Sequence, residues 1–399
     1  MNHATRWGLR PVINAAGTMT TLGASRVDPA VRAVVDDMLG RFVLMSDLQR
    51  AASGVIAAAT GAEAGYVTSS SSAAMALACA AAITGDDLAA IEALPATAAP
   101  ARIGIMVSHM VNYGAPVAQA IAASGAVVVP LGTAALCETW HLRAALTQGL
   151  VAVVHVVSHH CIREGELPLP LMIEIAHAQG VPVIVDMASE YDLTEAVALG
   201  ADVAIWSGHK FLGGPTSGIV AGRRAMIRAM LLQNQGLGRL MKAGKEAVAG
   251  AIAALEAWAE RDHAAAAARE TAIVAAWQRD LAGLPGVALR LCPDWTGNPI
   301  TRLELALTPA TAGLHAWELA ARALAGQPAV ALRDDLAMHE LLHLDPCNLT
   351  PDEAPLVSAR IRALLAAAHD AQDGGRTGWV AEKRARGTVS IPWLEQGDA

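Results

Sequence analysis

Four kinds of residue in this 399-residue chain could act on one chemistry: a lysine, a carboxylate, a histidine and a serine run. Lys210 sits in Ser207-Gly208-His209-Lys210, followed by Phe211-Leu212-Gly213-Gly214-Pro215-Thr216. Asp186 opens Asp186-Met187-Ala188, and His109 closes Ser108-His109. Four serines, Ser69 to Ser72, run into an alanine-rich stretch. Each has an ordinary reading on its own. Serines cap helices, a strand-end aspartate makes turns, a histidine can be a satisfied core ring, and a lysine is usually solvated. Together they match the needs of pyridoxal phosphate (PLP): a lysine for a Schiff base, an aspartate for the pyridine nitrogen, and a helix N-terminus for the phosphate. Lysine is scarce here. Of 29 basic residues only Lys210, Lys242, Lys245 and Lys383 are lysines.

These residues lie where apolar runs end. GYVTS, RIGIMVS, GAVVVPLG, LVAVVHVVS, PVIVDMA, DVAIWSG and SGIVAGR read as strands, alternating with helical stretches such as AAMALACAAAI, PVAQAIAASG and LPLMIEIAHAQG. Strands apolar throughout, separated by helices, predict an α/β fold with a mostly parallel seven-stranded sheet covered on both faces. SGIVAGR follows a link too short for a helical crossover and is expected to run antiparallel. In such sheets ligands bind beyond the strands' carboxyl ends, which is where the serines, His109, Asp186 and Lys210 fall. Residues 1–30 read as an extended arm closed by Pro29, and two helices are expected between Ala30 and Gly61. The large domain is expected over 31–250 and a small C-terminal α+β domain over 251–375. A helix from about Lys245 to Leu281 would lead into the strands VALRLCP, ITRLELALT and PAVALRDD and a helix from Ala354 to His369. Residues 376–399 read as a tail.

The chain is 54% hydrophobic and 17% charged, with a mean hydropathy of +0.37. Its longest apolar stretch, Ala73 to Thr84, falls short of the ~18 residues of a spanning helix. No membrane association is expected, and the apolar surplus is assigned to buried surfaces, some between subunits. The net charge of −8 and a single short basic cluster at Lys383-Arg384-Ala385-Arg386 argue against nucleic acid. The five cysteines form no C-x-x-C pair, so no zinc site or disulfide framework is expected. The first residues lack the apolar core of a signal peptide, and a cytoplasmic location is expected. The SHHC run at Ser158–Cys161 invites a metal reading, but adjacent histidines on a strand face opposite ways, so no metal is expected.

IWSGHKFLGGPTSGIVAGR resembles the lysine loop of fold-type-I PLP enzymes. VINAAGTMTTLGAS, LQRAASGVIAAATGAEAGYVTSSSSAAMALACAAAITGDD, GLGRLMKAGKEAVAGAIAALEAW and LDPCNLTPDEAPLV look like the selenocysteine synthase-like family, whose members include D-glucosaminate-6-phosphate ammonia-lyase. The resemblance runs over most of residues 11–365. It implies Lys210 as the Schiff-base lysine, Asp186 on the pyridine nitrogen, Ala188 beneath the ring and His109 stacked on the other face. Ser70, Ser71, Ser207 and His209 would hold the phosphate, joined by Thr216 from a neighbouring subunit. The family usually has Gly-Ala-Ala where this chain has Ser70-Ser71-Ser72, which adds hydroxyls. Arg333 falls roughly where fold-type-I enzymes place an arginine for the substrate α-carboxylate. Asn14, Thr18, Thr20 and Gln49 come from a region that approaches the active site in this family. Lys242 and Lys245, in MKAGKE, are further candidates for substrate or phosphate.

An aspartate against a protonated ring nitrogen is worth about 4 kcal/mol at intermediate dielectric, and Lys210 is the natural base for a Cα proton. The reaction expected first is α,β-elimination from a small amino acid or amino-sugar acid, giving a 2-oxo acid and ammonia. Racemisation or epimerisation would need a second acid/base, which His109, His159 or Cys161 could supply. Retro-aldol cleavage requires a β-hydroxyl. A catalytically inactive PLP-fold binding module is disfavoured, because Lys210 and Asp186 are both present. An unphosphorylated substrate is expected, since no second basic cluster stands out beyond Arg239, Lys242 and Lys245. Chemistry on tRNA is not expected: the core motif begins near Pro11, and the tRNA-binding N-terminal domain has no counterpart. The expected assembly is a homodimer or larger ring, with the Gly213–Thr216 loop at the seam.

Overall fold

The computed structural model describes residues 3–368 together with 378, 380 and 381. Twelve strands follow one another among these residues: β1 (Val12–Ala15), β2 (Ala64–Thr68), β3 (Arg102–Met106), β4 (Val127–Leu131), β5 (Leu150–Val156), β6 (Val183–Asp186), β7 (Val203–Ser207), β8 (Gly218–Gly222), β9 (Val287–Pro293), β10 (Thr301–Leu307), β11 (Ala329–Leu332) and β12 (Leu341–Leu344). The chain divides into two compact units. One spans Ser25–Arg261; the other joins Met1–Ala24 to Asp262–Ala399.

The Ser25–Arg261 unit is built on a seven-stranded sheet in the order β2-β8-β7-β6-β5-β3-β4. All pairs are parallel except those of β8, which is antiparallel to both β2 and β7. The β7–β8 link covers residues 208–217, shorter than the dozen or more residues a parallel crossover needs. Side chains alternate between the faces. Val153, Val183, Val185, Ala204 and Trp206 enter one core cluster, and Ala152, Val154, Ile184, Val203 and Ile205 the other. With both faces covered, the strands from β2 to β3 in the sheet order are apolar nearly throughout, while edge strand β4 leaves Val127 and Pro130 exposed; all seven were legible in the sequence. The Ser71–Thr84 helix buries ten of its fourteen residues, mostly alanines, which let it lie close to the sheet. Helices Pro29–Leu39 and Met45–Thr60 match the two expected before Gly61.

The other unit holds an antiparallel sheet, β12-β10-β9, and a two-stranded parallel pair of β1 with β11. Helices His263–Leu281, Ala316–Ala325 and Ala354–Ala366 close a core around Trp277, whose indole Nε1 donates to the Ala354 carbonyl at 2.8 Å. Three features differ from the sequence reading. The arm expected over residues 1–30 contains a strand, and its first 24 residues belong with the C-terminal unit, because Val12–Ala15 pairs with Ala329–Leu332. The helix expected from Lys245 to Leu281 is two helices, Lys245–Glu260 and His263–Leu281. Arg261 is extended there, and the Asp262 carboxylate accepts from the Ala265 N–H as an N-cap. The division between units falls at this break. The tail at 376–399 and the Lys383–Arg386 cluster lie outside the described residues apart from 378, 380 and 381.

Candidate active site

The parallel strands deliver their carboxyl ends to one edge, and antiparallel β8 brings its first residue to the same level: Gly218 pairs with Thr68 on one side and Ser207 on the other. The turn after β2 is pinned there. Thr68 Oγ1 donates to the Ser70 carbonyl at 2.9 Å, and Ser70 Oγ caps the Ser71–Thr84 helix by accepting from the Ala73 N–H at 3.1 Å. Gly218 has to be glycine for this approach, since a Cβ would lie 2.4 Å from the Ser70 carbonyl oxygen and from Thr68 Oγ1. Ser70 and Ser71 stay partly exposed at the helix's positive end, where free N–H groups favour an anion.

β7 ends at Ser207, whose hydroxyl lies 3.1 Å from His209 Nδ1, while the Ser25 hydroxyl fixes the His209 carbonyl at 2.7 Å. His209 Nε2 is buried without a hydrogen-bond partner. Burial, and then the Lys210 charge, push this imidazole's pKa down, so it is a neutral ring with an unmet polar atom. A native protein rarely tolerates that unless a ligand completes the site. Asp186 closes β6 almost fully buried, with the Ala188 N–H donating to its Oδ1 at 3.0 Å. Burial raises its pKa to about 6; the Ala188 hydrogen bond and the Lys210 charge pull the other way. Such a carboxylate gains from a cation held against it. Lys210 is partly buried and begins the tight turn in which the Gly213 N–H returns to its carbonyl at 3.0 Å.

Ser70, Ser71, Asp186, Ala188, Ser207, His209 and Lys210 thus share one edge of one unit. An orphaned imidazole nitrogen, a buried carboxylate, a helix N-terminus and a lysine between them fit PLP. Ser70, Ser71, Ser207 and His209 would take the phosphate, Asp186 the ring nitrogen and Lys210 the aldehyde carbon.

Other expected residues are placed differently. His109 is fully buried in the turn Val107–His109, and both its ring nitrogens are engaged: Nδ1 accepts from the Val156 N–H at 3.0 Å, and Nε2 meets Glu166 Oε2 at 3.1 Å. No face of it is open for stacking. Sequence reasoning missed Tyr113, four residues on. Burial first, and then the Asp186 charge, raise the pKa of its hydroxyl. Its ring remains partly exposed. The available signal was rarity, since the chain has only 3 Tyr. Gln49 is committed to the sheet, donating to the Val67 carbonyl at 2.8 Å and accepting from its N–H at 3.1 Å, in place of a strand beyond β2. Thr216 is exposed.

In the other unit, Asn14 closes a turn, donating to the Gly17 carbonyl and accepting from the Ala16 N–H, both at 2.9 Å. Thr20 is exposed at the start of a short 3-10 turn. Arg333 follows β11, buried, with Nε donating to Asp335 at 3.0 Å. His159 and His160 lie in a turn beyond β5 with ring centroids 3.9 Å apart, so the opposite-face argument does not apply to them.

A cavity of about 1120 Å³ in the Ser25–Arg261 unit gathers cations scattered in sequence: Arg50, Arg224, Arg228, Arg239, Lys242 and Lys245. Arg50 and Arg228 pair with Asp47 and Asp86, while the Arg224 guanidinium donates to the Glu63 backbone carbonyl and its backbone N–H to the Glu63 carboxylate. Lys245 Nζ donates to the Leu39 and Arg41 carbonyls and lies 5.6 Å from the Phe42 ring.

A lysine, a buried carboxylate and an anion cradle at the carboxyl edge of an open α/β sheet define the chain as a PLP-dependent enzyme of fold type I. More particularly, it belongs to the SelA family, described as L-seryl-tRNA selenium transferase, whose profile matches residues 12–312. It is 35% identical over 364 residues to a D-glucosaminate-6-phosphate ammonia lyase of Salmonella typhimurium, covering 91% of this chain and 98% of that one. It is also 35% identical over 361 residues to a 5'-C-glycyluridine monooxygenase-decarboxylase of a Streptomyces species, covering 90% of each. A solved structure of D-glucosaminate-6-phosphate ammonia-lyase superposes with a TM-score of 0.83 at 34% identity, over 93% of this chain and 100% of that one.

Proposed function

We propose that the protein is a PLP-dependent lyase that removes the Cα proton of a small amino acid or amino-sugar acid and expels a leaving group from Cβ, yielding a 2-oxo acid and ammonia. The observation that carries this reading is the convergence of Lys210, Asp186 and the Ser207–His209 cradle, in a chain 35% identical across nearly its whole length to an ammonia lyase. When bound, the cofactor supplies an electron sink for the charge left at Cα. Lys210 Nζ takes the Cα proton, and the Asp186 carboxylate keeps a proton on the ring nitrogen. The C–H electron pair forms the Cα–Cβ double bond as the Cβ substituent leaves; the released enamine takes a proton at Cβ to become an imine, and water then replaces nitrogen at Cα to give the 2-oxo acid and ammonia.

Racemisation is less well supported: His109 is enclosed, and the Cys161 thiol, pushed up to about 12 by burial, stays protonated with its sulfur on the Val156 carbonyl, which leaves His159 as the remaining second acid/base. The Streptomyces relative's name supports a second reading, oxygenation with decarboxylation. The cavity cations alter the substrate expectation. Arg239 and Lys242 line it without a described partner, which supports a substrate carrying an anionic group beyond its carboxylate. None of Lys210, Asp186 or His209 lines that cavity, so these cations would serve the active site of an adjoining protomer. The exposed run of Leu39, Phe42, Val43, Leu44 and Met45 supports such a homo-oligomer. A net charge of −8 favours a free small molecule over an aminoacyl-tRNA, and five free cysteines fit a reducing cytoplasm. Among the described residues no helix is long and apolar enough to cross a membrane.

Solvent-deuterium incorporation at Cα, with ammonia, keto acid and oxygen followed together, tests the reading. Exchange with ammonia and keto-acid release supports it; exchange with inversion alone, or oxygen uptake with decarboxylation, replaces it. Lys210→Ala should lose the borohydride-reducible visible absorbance. If that absorbance persists, the assignment of Lys210 fails.

A further inference from the structure

We propose that His109 is a positioning residue: its ring clamps the 157–168 loop to the end of β3 and so holds the wall beside Asp186. The role rests on the lyase reading only for its activity readout. His109 accepts the Val156 N–H at Nδ1, and an accepting nitrogen must keep its lone pair, so the ring proton sits on Nε2. That N–H can only donate, and it faces Glu166 Oε2 at 3.1 Å.

Glu166 is itself held. Arg163 Nε donates to its Oε1 at 3.4 Å, the neighbouring Gly165 carbonyl accepts from the Cys137 N–H at 2.8 Å, and the Leu167 N–H meets Met106 Sδ at 3.4 Å. His155 packs edge-on against His109 at 4.5 Å, with a buried and unpartnered Nδ1.

His109, His155 and Glu166 offer ligand atoms within 4.8 Å of one another, a spacing that suits a metal ion. The tautomer argues against that use, because a ring nitrogen carrying its proton has no lone pair to give a metal. A one-directional clamp accounts for the same atoms.

What it clamps lies next to the chemistry. Val156 is the register partner of Asp186, and the next N–H, of Val157, donates to the Asp186 carbonyl at 2.8 Å. The loop then carries Ser158 and Cys161, and the charges of Asp186 and Cys161 both raise the pKa of the Tyr113 hydroxyl. Tyr113 follows His109 on the loop after β3. The His109–Glu166 hydrogen bond is the charge-assisted member of a set, with Val156 N–H on His109 Nδ1 and Leu167 N–H on Met106 Sδ, that ties the end of β3 to the segment after β5.

Cys161 is nearly fully buried and can report on the clamp, with the core residue Cys79 as a control for global loosening. The experiment is timed maleimide labelling of the cofactor-loaded full chain, read cysteine by cysteine by peptide mass spectrometry, alongside kcat, KM and the pH–rate profile. Glu166→Leu removes an acceptor of a charge-assisted hydrogen bond, so Cys161 labelling should accelerate roughly ten- to a hundredfold. Cys79 should stay protected, and kcat should fall more than KM rises. Glu166→Gln keeps an acceptor oxygen and should behave like the wild type with an unchanged pH profile. If Glu166→Leu does not fold, Glu166→Asp, too short to reach, should show the same selective labelling. The proposal is overturned if Cys161 stays protected in both Leu and Asp variants, or if Cys79 is exposed along with it. It is equally overturned if Glu166→Gln loses activity together with one limb of the pH profile, which would make the pair an acid–base couple. Labelling needs no turnover, so failure of the lyase reading would leave this result decisive.

Discussion

Asp186 allows a quantitative test of the site that does not depend on knowing the substrate. Its pKa lies near 6 in the folded chain against an ordinary 3.8, with burial as the leading cause. A raised carboxyl favours the folded state only while it is protonated. Its relative contribution is fully present below pH 3.8 and is lost as the pH rises through about 6. The climb from 3.8 to about 6 corresponds to about 3 kcal/mol at 1.36 kcal/mol per pH unit. In cofactor-stripped protein, the unfolding free energy of the wild type minus that of Asp186→Asn should therefore fall by about 2.4 kcal/mol between pH 4 and pH 7.5, the first part of the roughly 3 kcal/mol being lost below pH 4. Urea titrations of both proteins across that range measure it, and the other titrating groups cancel in the difference. Loading PLP places a cationic ring against Asp186, and the pH dependence of the difference should then flatten. A difference that stays constant with pH in the stripped protein would falsify the account of a carboxylate buried in wait for a cation. A difference that falls equally with and without PLP would show that the cofactor's nitrogen is not its partner.

Two further substitutions separate scaffold from chemistry. Gln49→Leu leaves the Val67 N–H and carbonyl without partners at the edge of β2, and should lower stability by about 2 kcal/mol in a urea titration. Its KM should be unchanged; a raised KM with unaltered stability would return Gln49 to the substrate. Gly218→Ala drives a methyl into the Ser70 carbonyl and Thr68 Oγ1, which should cost roughly 1–3 kcal/mol. PLP titration should show weakened cofactor binding, whereas wild-type affinity would mean that the Ser70 turn does not form the cradle.

Local pattern carried far along this chain. A strand buried on both faces must be apolar at nearly every position, so β2, β3 and β5 to β8 are visible as runs; edge strand β4, partly exposed, was legible from its valines, and the short β7–β8 link sets the direction of β8. Because ligands gather at the carboxyl ends of such strands, Lys210, Asp186 and the serine run could be named from the sequence. β1 was invisible because its four residues pair with a segment more than 300 positions away. The helix expected through Lys245–Leu281 hid its break, since an aspartate capping the second helix looks like any polar residue in an amphipathic run.

Side-chain roles depended on who sits across the fold. His109 has the right type and position for stacking, yet a backbone N–H from β5 and a carboxylate from the next loop claim both its nitrogens. Gln49 is polar and close in sequence to the family's substrate region, but the unpaired edge of β2 takes its amide. Arg239 and Lys242 stand close together in the sequence, but they meet Arg50 only when the chain closes around a common cavity. Residue type and strand periodicity are local properties, and by themselves they determined the sheet, pointed to the cofactor's chemistry and singled out a scarce lysine at a strand end as its candidate. Hydrogen-bond partners, burial and the convergence of distant charges are set by contacts between remote segments. For that reason only the tertiary structure could show that both ring nitrogens of His109 are engaged, that Gln49 holds the edge of β2, and that Arg50, Arg239 and Lys242 line one cavity.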